Sequence, residues 1–500
     1  MDEIKQIVVP LKILKEFLAV RYFTRRYTAK LVRYGTIRYS STNLYGGTVR
    51  YKSHWSVIPP HQTDIDQQVH TVFRYDPIQK RPSFGSNTYE IYQIPPTDRN
   101  TTIVEPGVIH LPLSSPTRFR QGDAVVVRYT FRGAAIYGEN STDLSVESIT
   151  IYTSWGMGFV TFRIRRLQIK NYHVLPRDNR WMSTIVDCMH FIDTREYISI
   201  IDSECYGMGD DGLNVHAVFF LVTKIIDTHT IIIEIKSLDT FINFDIGTNL
   251  EFSSNQKPFV VYGNGLVTSI SSTNSSNSRK ISFRNPVNVS VNDWACIADT
   301  PLLTIRNLTV ANNRARGVLL ETRNIDIRQS LFYRTSGPAI LIQPSLYWYE
   351  GPEARNVSLI ENIYMENNEG LTQTKGVITI VPSPISLVPV INDIRIASSS
   401  FYLGSSSQGL LQSDNMNNLY LIDNYIATNM STPLISICNS RNISATNNCV
   451  VNKQTKITEY YTFDQRNPCS MNLSSLINLP SSAFNASFPP PVLIDKNLSV

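Results

Sequence analysis

LLTIRNLTV (302–310) contains the sequence phrase that decides the fold: apolar-x-apolar, then Asn or Ser, then another apolar residue. The phrase recurs in NIDIRQSLF (324–332), NVSLIENIY (356–364), DIRIASSSF (393–401), LYLIDNYI (419–426) and NISATNNCV (442–450), and in three segments between 148 and 205. Short alternating runs of this kind, separated by Asn, Ser and Gly, are typical of β-strands bounded by turns.

The spacing of the phrase predicts a right-handed parallel β-helix. One position of the repeat is held by Ile305, Ile327, Leu359, Ile396, Leu421 and Ala445, with steps of 22, 32, 37, 25 and 24 residues. Steps near 22–25 residues fit one coil, and the longer steps indicate loops inserted at turns. Leucine-rich repeats lack this phrase, and propeller blades are longer. The predicted fold class is therefore all-β, a pectin-lyase-like parallel β-helix with inserted small β-barrel modules.

Six regions are predicted from where the phrase is present and where it is missing. They are a divergent basic N-terminal region (1–82), a small β-barrel-like module (83–135), coils with catalytic Asp residues (136–217), an inserted β-barrel (218–299), further coils (300–450) and a loosely ordered Ser/Asn/Pro-rich tail (451–500). The inserted barrel is predicted because its segment is strand-like without the coil phrase.

Composition excludes several classes of protein. The 500 residues are 42% hydrophobic and 17% charged, which is enough to bury a large core and too little charge for a disordered chain. No run of 18 apolar residues occurs, so no membrane-spanning helix is expected. Residues 1–52 hold eleven Lys or Arg against three acidic residues, while the whole chain is only +5. The rest is nearly neutral, which argues against nucleic acid as a partner.

Cysteines and sequons bear on the compartment. The six cysteines show no CxxC spacing, so a zinc site is not expected, and one disulfide is plausible among Cys438, Cys449 and Cys469. Eleven Asn-x-Ser/Thr sequons favour a secreted or lumenal location, although residues 8–20 are a poor signal-peptide core.

A polar cluster interrupts the apolar faces of the coils. The second strand of each coil includes VDCMHF (186–191), DDGLNVHA (210–217) and ARGVLLET (315–322), and aligning these segments gives three polar columns. The first column holds Asp187, Asp211 and Arg316. The second holds His190 and Asn214 and ends in the apolar Leu319, and the third holds His216 and Glu321. Successive rungs of a parallel sheet lie about 4.8 Å apart, so a polar column marks a candidate site.

The carboxylates in this cluster are suited to acid and base catalysis. Asp187 precedes Asp211 by 24 residues, or one coil, and Asp210 is adjacent in GMGDDGLNVH (207–216). Carboxylates one rung apart cannot ionise independently, so at least one pKa should rise. Asp-Asp-Gly alone is equally typical of a turn or of a calcium loop. The one-coil spacing and the surrounding polar columns favour the catalytic interpretation.

The same segments resemble a known family. DCMHF, GMGDDGLNVH, NNRARGVLLETRN (312–324), FYRTSGPAILI (332–342), WYEGPEARNVSLIEN (348–362) and SITIYTSWGMGF (148–159) are similar to glycoside hydrolase family 110, the α-1,3-galactosidases. The resemblance implies an exo-acting, inverting enzyme without metal or cofactor, with three essential Asp residues at Asp187, Asp210 and Asp211. Two departures are Cys188-Met189 and Ala217, where Gly is expected after Asp187 and after Val215-His216.

The resemblance also implies roles for the residues. By similarity to polygalacturonases, Asp210 is the general acid, and Asp187 with Asp211 forms the base. His190, Asn214, His216, Arg316 and Glu321 are the candidate substrate-binding residues, and the expected partner is a galactose-terminated oligosaccharide or glycoconjugate. Inversion usually requires carboxyl groups about 6.5–9.5 Å apart.

Three alternatives remain open from the sequence. The chain could be a pectinase-like hydrolase on the same scaffold, because fold alone does not determine the substrate. It could be an inactive, glycan-binding β-helix. It could also bind RNA through the basic residues 20–38, which would make binding strongly salt-dependent.

Overall fold

The computed structural model describes the body of the chain between residues 133 and 452 and several strands outside it. Within the body it omits 155, 178–179, 236–243, 371–375, 405–408 and 429–434; outside it, it covers 69–83 and the strands at 32–38, 47–50, 102–105, 108–111, 124–129 and 458–465. Every regular element in these residues is a β-strand. None of the described residues forms a helix with the length and apolar character needed to cross a membrane.

The first seven strands form one sheet with antiparallel pairings. They are β1 (Val32–Arg38), β2 (Gly47–Arg50), β3 (Val69–Asp76), β4 (Arg81–Pro82), β5 (Thr102–Glu105), β6 (Val108–Leu111) and β7 (Ala124–Tyr129). Their order is β4-β3-β7-β1-β2-β6-β5. This sheet crosses the boundary predicted at residue 82, because β3 pairs with β7, Val72 lying opposite Val127. The regions 1–82 and 83–135 therefore contribute strands to a single sheet, which corrects that boundary.

The next seven strands build the first coils of the parallel β-helix. They are β8 (Ala134–Glu139), β9 (Thr142–Ile151), β10 (Met157–Phe162), β11 (Arg165–Val174), β12 (Met189–Ile192), β13 (Arg195–Tyr206) and β14 (Leu213–Asp227). β8, β10, β12 and β14 pair in parallel in one sheet, and β9, β11 and β13 pair in parallel in another.

A six-stranded antiparallel barrel interrupts the coils. It consists of the second half of β14 with β15 (Thr230–Glu234), β16 (Asn249–Ser254), β17 (Lys257–Ser272), β18 (Ser278–Phe283) and β19 (Trp294–Ile297). The pairings run β14-β15-β18-β17-β16-β19 and return to β14, so the ring of strands is closed. The barrel has its own apolar core, which includes Phe220, Val222 and Phe252.

The remaining strands continue the coils after the barrel. They are β20 (Leu302–Ala311), β21 (Val318–Glu321), β22 (Ile325–Arg328), β23 (Leu331–Tyr333), β24 (Ile340–Ile342), β25 (Glu350–Gly351), β26 (Arg355–Ile360), β27 (Ile363–Met365), β28 (Ile378–Ile380), β29 (Ile391–Ala397), β30 (Ser400–Tyr402), β31 (Leu411–Asp414), β32 (Met416–Ile422), β33 (Tyr425–Thr428), β34 (Ile435–Cys438), β35 (Arg441–Asn452) and β36 (Thr458–Gln465). β36 pairs antiparallel with β35, so part of the segment predicted as a loosely ordered tail adds a strand to the last coil.

The strand register confirms the predicted β-helix. Ile305 pairs with Ile327, Ile327 with Leu359, Leu359 with Ile396, Ile396 with Leu421, and Leu421 with Ala445, as the repeat spacing requires. These side chains are all buried in the core of the coils. Because each coil buries its apolar residues only against its neighbours, stacking is the source of the core.

The Asn or Ser of the repeated phrase forms the corner of each coil. The residues two positions after each anchor have positive φ angles of 50–57°; they are Asn307, Gln329, Glu361, Ser398, Asp423 and Asn447. The next residue points inward and bonds the adjacent coil. The Asn362 side chain accepts the Ser330 N–H at 3.0 Å, and the Asn448 side chain accepts the Asn424 N–H at 3.1 Å. Asn and Ser are therefore selected here because their side chains satisfy backbone groups buried at the corner.

A disulfide crosses the core beside the acidic cluster. Cys188 and Cys205 are joined over a sequence separation of 17 residues. The sequence analysis did not predict this pairing. Cys438 is a thiol, and Cys469 lies outside the described residues, so a C-terminal disulfide stays a prediction.

Candidate active site

Three successive coils bring the acidic residues together on the outer face of the sheet that contains β12, β14 and β21. The register aligns Met189, Leu213 and Val318, so the residues just before these strands stack on one another. The Cys188 N–H donates to the Asp211 carbonyl at 3.0 Å, and the Gly212 N–H donates to the Arg316 carbonyl at 3.1 Å. Asp187, Asp211 and Arg316 thus occupy equivalent positions in three adjacent coils.

Glycines permit this close stacking in the turn before β14. Gly207 has a φ of +67°, a conformation that side chains with a Cβ rarely adopt. A Cβ atom at Gly209 would lie 2.1 Å from the Ile185 carbonyl oxygen, so any larger residue would push the two coils apart. GMGDDG therefore delivers the two Asp residues against the preceding coil.

Asp187, Asp210 and Asp211 form a compact carboxylate cluster. One oxygen from each lies within 4.8 Å of the others. Asp187 Oδ1 accepts the backbone N–H of Asp211 at 3.0 Å. The Asp187 and Asp211 side chains are 5% and 2% exposed, whereas Asp210 is 17% exposed.

Two arginines from the next coil compensate the negative charge. The Arg314 Nη2 donates to Asp210 Oδ1 at 2.8 Å, and its Nε donates to the Gly209 carbonyl at 2.7 Å. The Arg316 Nη2 donates to Asp211 Oδ2 at 2.5 Å, and its backbone N–H donates to Asp211 Oδ1 at 2.9 Å. Arg314 did not emerge from the column alignment, because its side chain reaches the cluster from a turn rather than from a rung.

Burial raises the pKa of one of these carboxyls. The pKa of Asp211 lies well above its usual value because burial disfavours its charge, and Asp187 and Asp210 add repulsion that Arg316 only partly offsets. A raised pKa within the cluster follows from the stacking of adjacent rungs. Since the three groups interact closely, the proton belongs to the cluster as a whole.

His190 and His216 form a hydrogen-bonded pair behind Asp187. His216 Nδ1 lies 2.7 Å from the Ala217 carbonyl, which can only accept, so the Nε2 of a neutral His216 is an acceptor. His190 Nε2 lies 2.9 Å from that atom and must donate to it, while His190 Nδ1 lies 2.7 Å from Asp187 Oδ2. These contacts are satisfied together by a doubly protonated His190 and a neutral His216.

The pKa shifts of the two histidines agree with this assignment. Burial alone would lower the pKa of His190, but the hydrogen bond and charge of Asp187, helped by Glu350 and Asp211, raise it above its usual value. Burial lowers the pKa of His216, and the positive His190 lowers it further, despite the opposing charge of Glu350. The pair therefore holds one positive charge, next to Asp187.

A carboxyl pair closes the far side of the site. Glu321, from β21, is 1% exposed, and burial together with the charge of Glu350 raises its pKa well above the usual value. Burial of Glu350 opposes its ionisation, but the positive charge held by the His216–His190 pair and a hydrogen bond from Glu321 lower its pKa overall. Glu350 Oε1 lies 3.6 Å from His216 Nε2. The opposite shifts of the two pKa values favour a proton on Glu321 and a charge on Glu350.

The structure brings all the predicted site residues to one region and adds others. Asn214 lies between His190 and Leu319 in the sheet, and its buried Oδ1 has no hydrogen-bond partner in the described part of the protein. Glu350 was missed because it does not belong to a repeated coil strand. It lies in the short strand β25, at the end of a loop, and β25 pairs antiparallel with β14. The only sequence signal for it was its place in the family-like segment 348–362.

The cluster has the donor types of a cation site, but these donors are already engaged. Two groups, Asp187-Asp210-Asp211 and His190-His216-Glu350, have ligand atoms close enough to share an ion. The carboxylates accept hydrogen bonds from Arg314, Arg316 and His190, so a cation would have to displace these groups. The arrangement fits proton transfer within a charge-compensated cluster.

Comparison with known proteins supports the resemblance drawn from the motifs. No family model matches the chain. It is 25% identical over 331 residues to Alpha-1,3-galactosidase B of Phocaeicola vulgatus, covering 62% of this chain and 54% of that protein. It is 27% identical over 319 residues to Alpha-1,3-galactosidase A of Shewanella woodyi, covering 60% of this chain and 51% of that protein. The predicted resemblance to the α-1,3-galactosidases is thereby confirmed, and the chain spans about half the length of these curated relatives.

Among solved structures, the chain is similar to PfbA, a surface adhesin of Streptococcus pneumoniae. The match has 14% identity and a TM-score of 0.33, over 63% of this chain and 70% of that one.

Proposed function

We propose that this protein is a glycoside hydrolase that releases terminal α-1,3-linked galactose from a glycan. The observation that carries the proposal is the buried cluster of Asp187, Asp210 and Asp211, stacked on adjacent coils and compensated by Arg314 and Arg316. The likeness to α-1,3-galactosidases supports galactose as the sugar, and exo action is proposed with it.

Asp210 is proposed as the general acid. Its side chain is the most exposed of the three, so it is the carboxyl that can reach a glycosidic oxygen outside the coil. In the reaction, the bond from the anomeric carbon to the glycosidic oxygen breaks, and this oxygen takes the proton from Asp210. The cluster supplies that proton because its members share protons rather than ionise independently.

Asp187 and Asp211 are proposed to activate the attacking water. The water oxygen forms the new bond to the anomeric carbon, and its proton passes to the carboxylate pair. Asp187 is held in place by two contacts, one to the Asp211 N–H and one to His190. Positive charge that develops on the sugar ring is stabilised by the surrounding carboxylates.

The groups around the cluster are proposed to hold galactose. The buried Asn214 Oδ1 can accept a sugar hydroxyl, and a buried oxygen left without a partner would otherwise be costly. Arg316, which pairs with Asp211, and Glu321, which lies beside Glu350, offer further polar contacts, and the hydrogen-bonded pair of His190 and His216 is proposed to border the sugar. No cofactor takes part in this scheme.

Inversion is part of the proposal and is tested by stereochemistry. A single displacement at the α-linkage releases β-galactose first, which NMR during early turnover detects. One oxygen from each of the three carboxyl groups lies within 4.8 Å of the others, so the stereochemistry of the product is the observation that decides between the two mechanisms. If α-galactose appears first, the enzyme is retaining, and one of Asp187 and Asp211 is a nucleophile rather than a base.

The activity itself is tested by screening purified protein on α-1,3-linked galactosides and on polygalacturonate. Release of galactose from the first substrate alone is expected. Release of sugar acid from the second would favour a pectinase-like enzyme, and activity on neither would favour an inactive glycan-binding protein.

A secreted or lumenal location is also proposed. It is supported by the sequons and by the Cys188–Cys205 disulfide, because disulfides persist in oxidising compartments.

A further inference from the structure

We infer that a cleft between the barrel and the coils binds carbohydrate at a second site, separate from the aspartate cluster. The cleft has a volume of about 420 Å³, and its walls include Leu221, Asn255, Asn292, Trp294, Tyr347 and Tyr349. Ligand sites usually combine such concave, mostly apolar walls with a few polar groups.

A tight turn presents aromatic side chains at the edge of this cleft. The turn covers residues 346–349 and is closed on both sides: the Ser345 N–H donates to the Glu350 carbonyl at 2.8 Å, and the Glu350 N–H donates to the Ser345 carbonyl at 2.9 Å. The Ser345 hydroxyl also accepts the Trp348 N–H at 3.2 Å. Tyr349 has a φ of +63°, which is unusual for a bulky side chain. Strain of this kind is retained where the surrounding contacts impose it and is common at ligand sites.

The two rings at the tip of the turn face solvent. Tyr347 is 74% exposed and Trp348 is 60% exposed, and their ring centroids lie 4.9 Å apart in a perpendicular arrangement. Large rings exposed side by side give up the free energy of burial, so a patch of this kind marks an interaction surface.

The floor of the cleft is rigid and uncharged. Trp294 is 9% exposed, its Nε1 donates to Asn255 Oδ1 at 3.3 Å, and its ring lies 5.7 Å from that of Tyr349. The lining residues are aliphatic, aromatic or amide, without a formal charge. An uncharged ligand with apolar C–H faces and many hydroxyls suits this combination of rings and amides. A neutral sugar is such a ligand. The choice of a sugar rather than another neutral compound rests in part on the proposed function.

The strand pairing places the cleft on the opposite face from the aspartate cluster. Glu350 lies opposite Val218 in the β14–β25 pair. Tyr349, the residue before Glu350, lies beside Phe219, and its carbonyl accepts the Phe219 N–H at 2.9 Å. Alternate residues of a strand point to opposite faces. The side-chain contacts agree with this: Glu350 Oε1 lies 3.6 Å from His216 Nε2, whereas the ring of Tyr349 lies 5.7 Å from that of Trp294.

The test measures binding of a neutral tetrasaccharide of N-acetyllactosamine units that carries no α-linked galactose. Isothermal titration is made with the full chain, with Tyr347→Ala and Trp348→Ala, and with Tyr420→Ala as control, since Tyr420 is an exposed aromatic residue on a distant coil. We expect the wild type and the control to bind equally, and each cleft variant to lose affinity by at least about tenfold, because each substitution removes one of the two exposed rings beside the cleft. Turnover of a nitrophenyl α-galactoside should be unchanged in both cleft variants.

Several results would overturn the inference. These are absence of binding to the wild type, unchanged affinity in both cleft variants, or an equal loss in the control. If light scattering shows a dimer that Trp348→Ala converts to a monomer, the cleft is instead an interface between copies of the chain. Failure of the proposed function is seen separately, as absence of nitrophenyl galactoside turnover by the wild type.

Discussion

Substitution of Asp210 by Asn should remove proton donation while leaving the coil folded. Asp210 Oδ1 accepts a hydrogen bond from Arg314 Nη2, and the amide oxygen of Asn can accept the same bond. The contact changes from an ion pair to a hydrogen bond between a charged and a neutral group, which should cost about 1 kcal/mol. For a chain of this size the melting temperature should fall by only a few degrees.

The rate effect should depend on the leaving group. On an α-1,3-linked galactosyl oligosaccharide, the loss of a positioned acid should lower kcat by about 10²–10⁴-fold. On a nitrophenyl galactoside the loss should be at least an order of magnitude smaller, because nitrophenolate leaves without receiving a proton. Both rates are measured by galactose release at saturating substrate, with the melting temperature as a check of folding.

A matched control separates this effect from loss of an ion pair. Asp326 also accepts hydrogen bonds from arginines, Arg306 at 2.6 Å and Arg328 at 2.8 Å, but lies on the outer surface of a coil away from the site. Asp326→Asn should leave both rates unchanged. Equal losses on the two substrates in Asp210→Asn would contradict its role as the acid and would transfer that role to Asp211, the carboxyl with the raised pKa. Wild-type turnover in Asp210→Asn would remove it from the mechanism.

Three further predictions concern the groups around the cluster. Asp187→Asn should lower kcat as strongly on the nitrophenyl galactoside as on the oligosaccharide. It should also lower the free energy of unfolding, measured in urea, by about 1.5–3 kcal/mol, because it breaks a buried hydrogen bond to a charged His190. Glu321→Gln should remove a pH-dependent loss of stability. Because the pKa of Glu321 is raised in the folded chain, the folded chain keeps a proton that the unfolded chain releases, and stability falls as pH rises from the unfolded pKa toward the folded pKa. Gln has no such proton to lose, so this part of the pH dependence should be absent in the variant. Melting temperatures between pH 5 and about 8 measure this, and an unchanged slope would mean that Glu321 is ionised. Replacing Cys188 and Cys205 together by Ala should cost about 3 kcal/mol, since the disulfide closes a loop of similar length to those for which that value is typical; an unchanged urea midpoint would show that core packing alone holds this region.

The regular part of the fold was predictable because each coil repeats the same physical solution. Ile327, Leu359 and Ile396 fill equivalent core positions, and the Asn or Ser three residues later accepts a backbone N–H at the corner of the preceding coil. Local sequence therefore specifies both the strand and its partner. The same regularity made Asp187 and Asp211 recognisable, since polar residues replaced apolar ones at a known spacing.

The N-terminal sheet was not predictable in the same way. Its strands pair over long separations, as when Val72 lies opposite Val127, and no repeat connects their sequences. The basic charge of residues 1–52 suggested a separate region, yet β1 and β2, which begin and end within it, pair in the same sheet. Charge composition reports on solvation and partners rather than on strand pairing.

Glu350 shows why part of the site could not be found from the repeat. Its position depends on contacts that join the barrel to the coils: Arg323, after β21, donates to Glu251 of the barrel at 2.6 Å and to Glu353 at 2.5 Å. Glu353 follows β25, so this buried network holds the strand that carries Glu350 against β14. The barrel begins on β14 itself, the strand that supplies Asn214 and His216. Because one strand runs from the site into the barrel, and the barrel in turn fixes β25, the inserted domain is a support for the site and cannot be removed without moving Glu350.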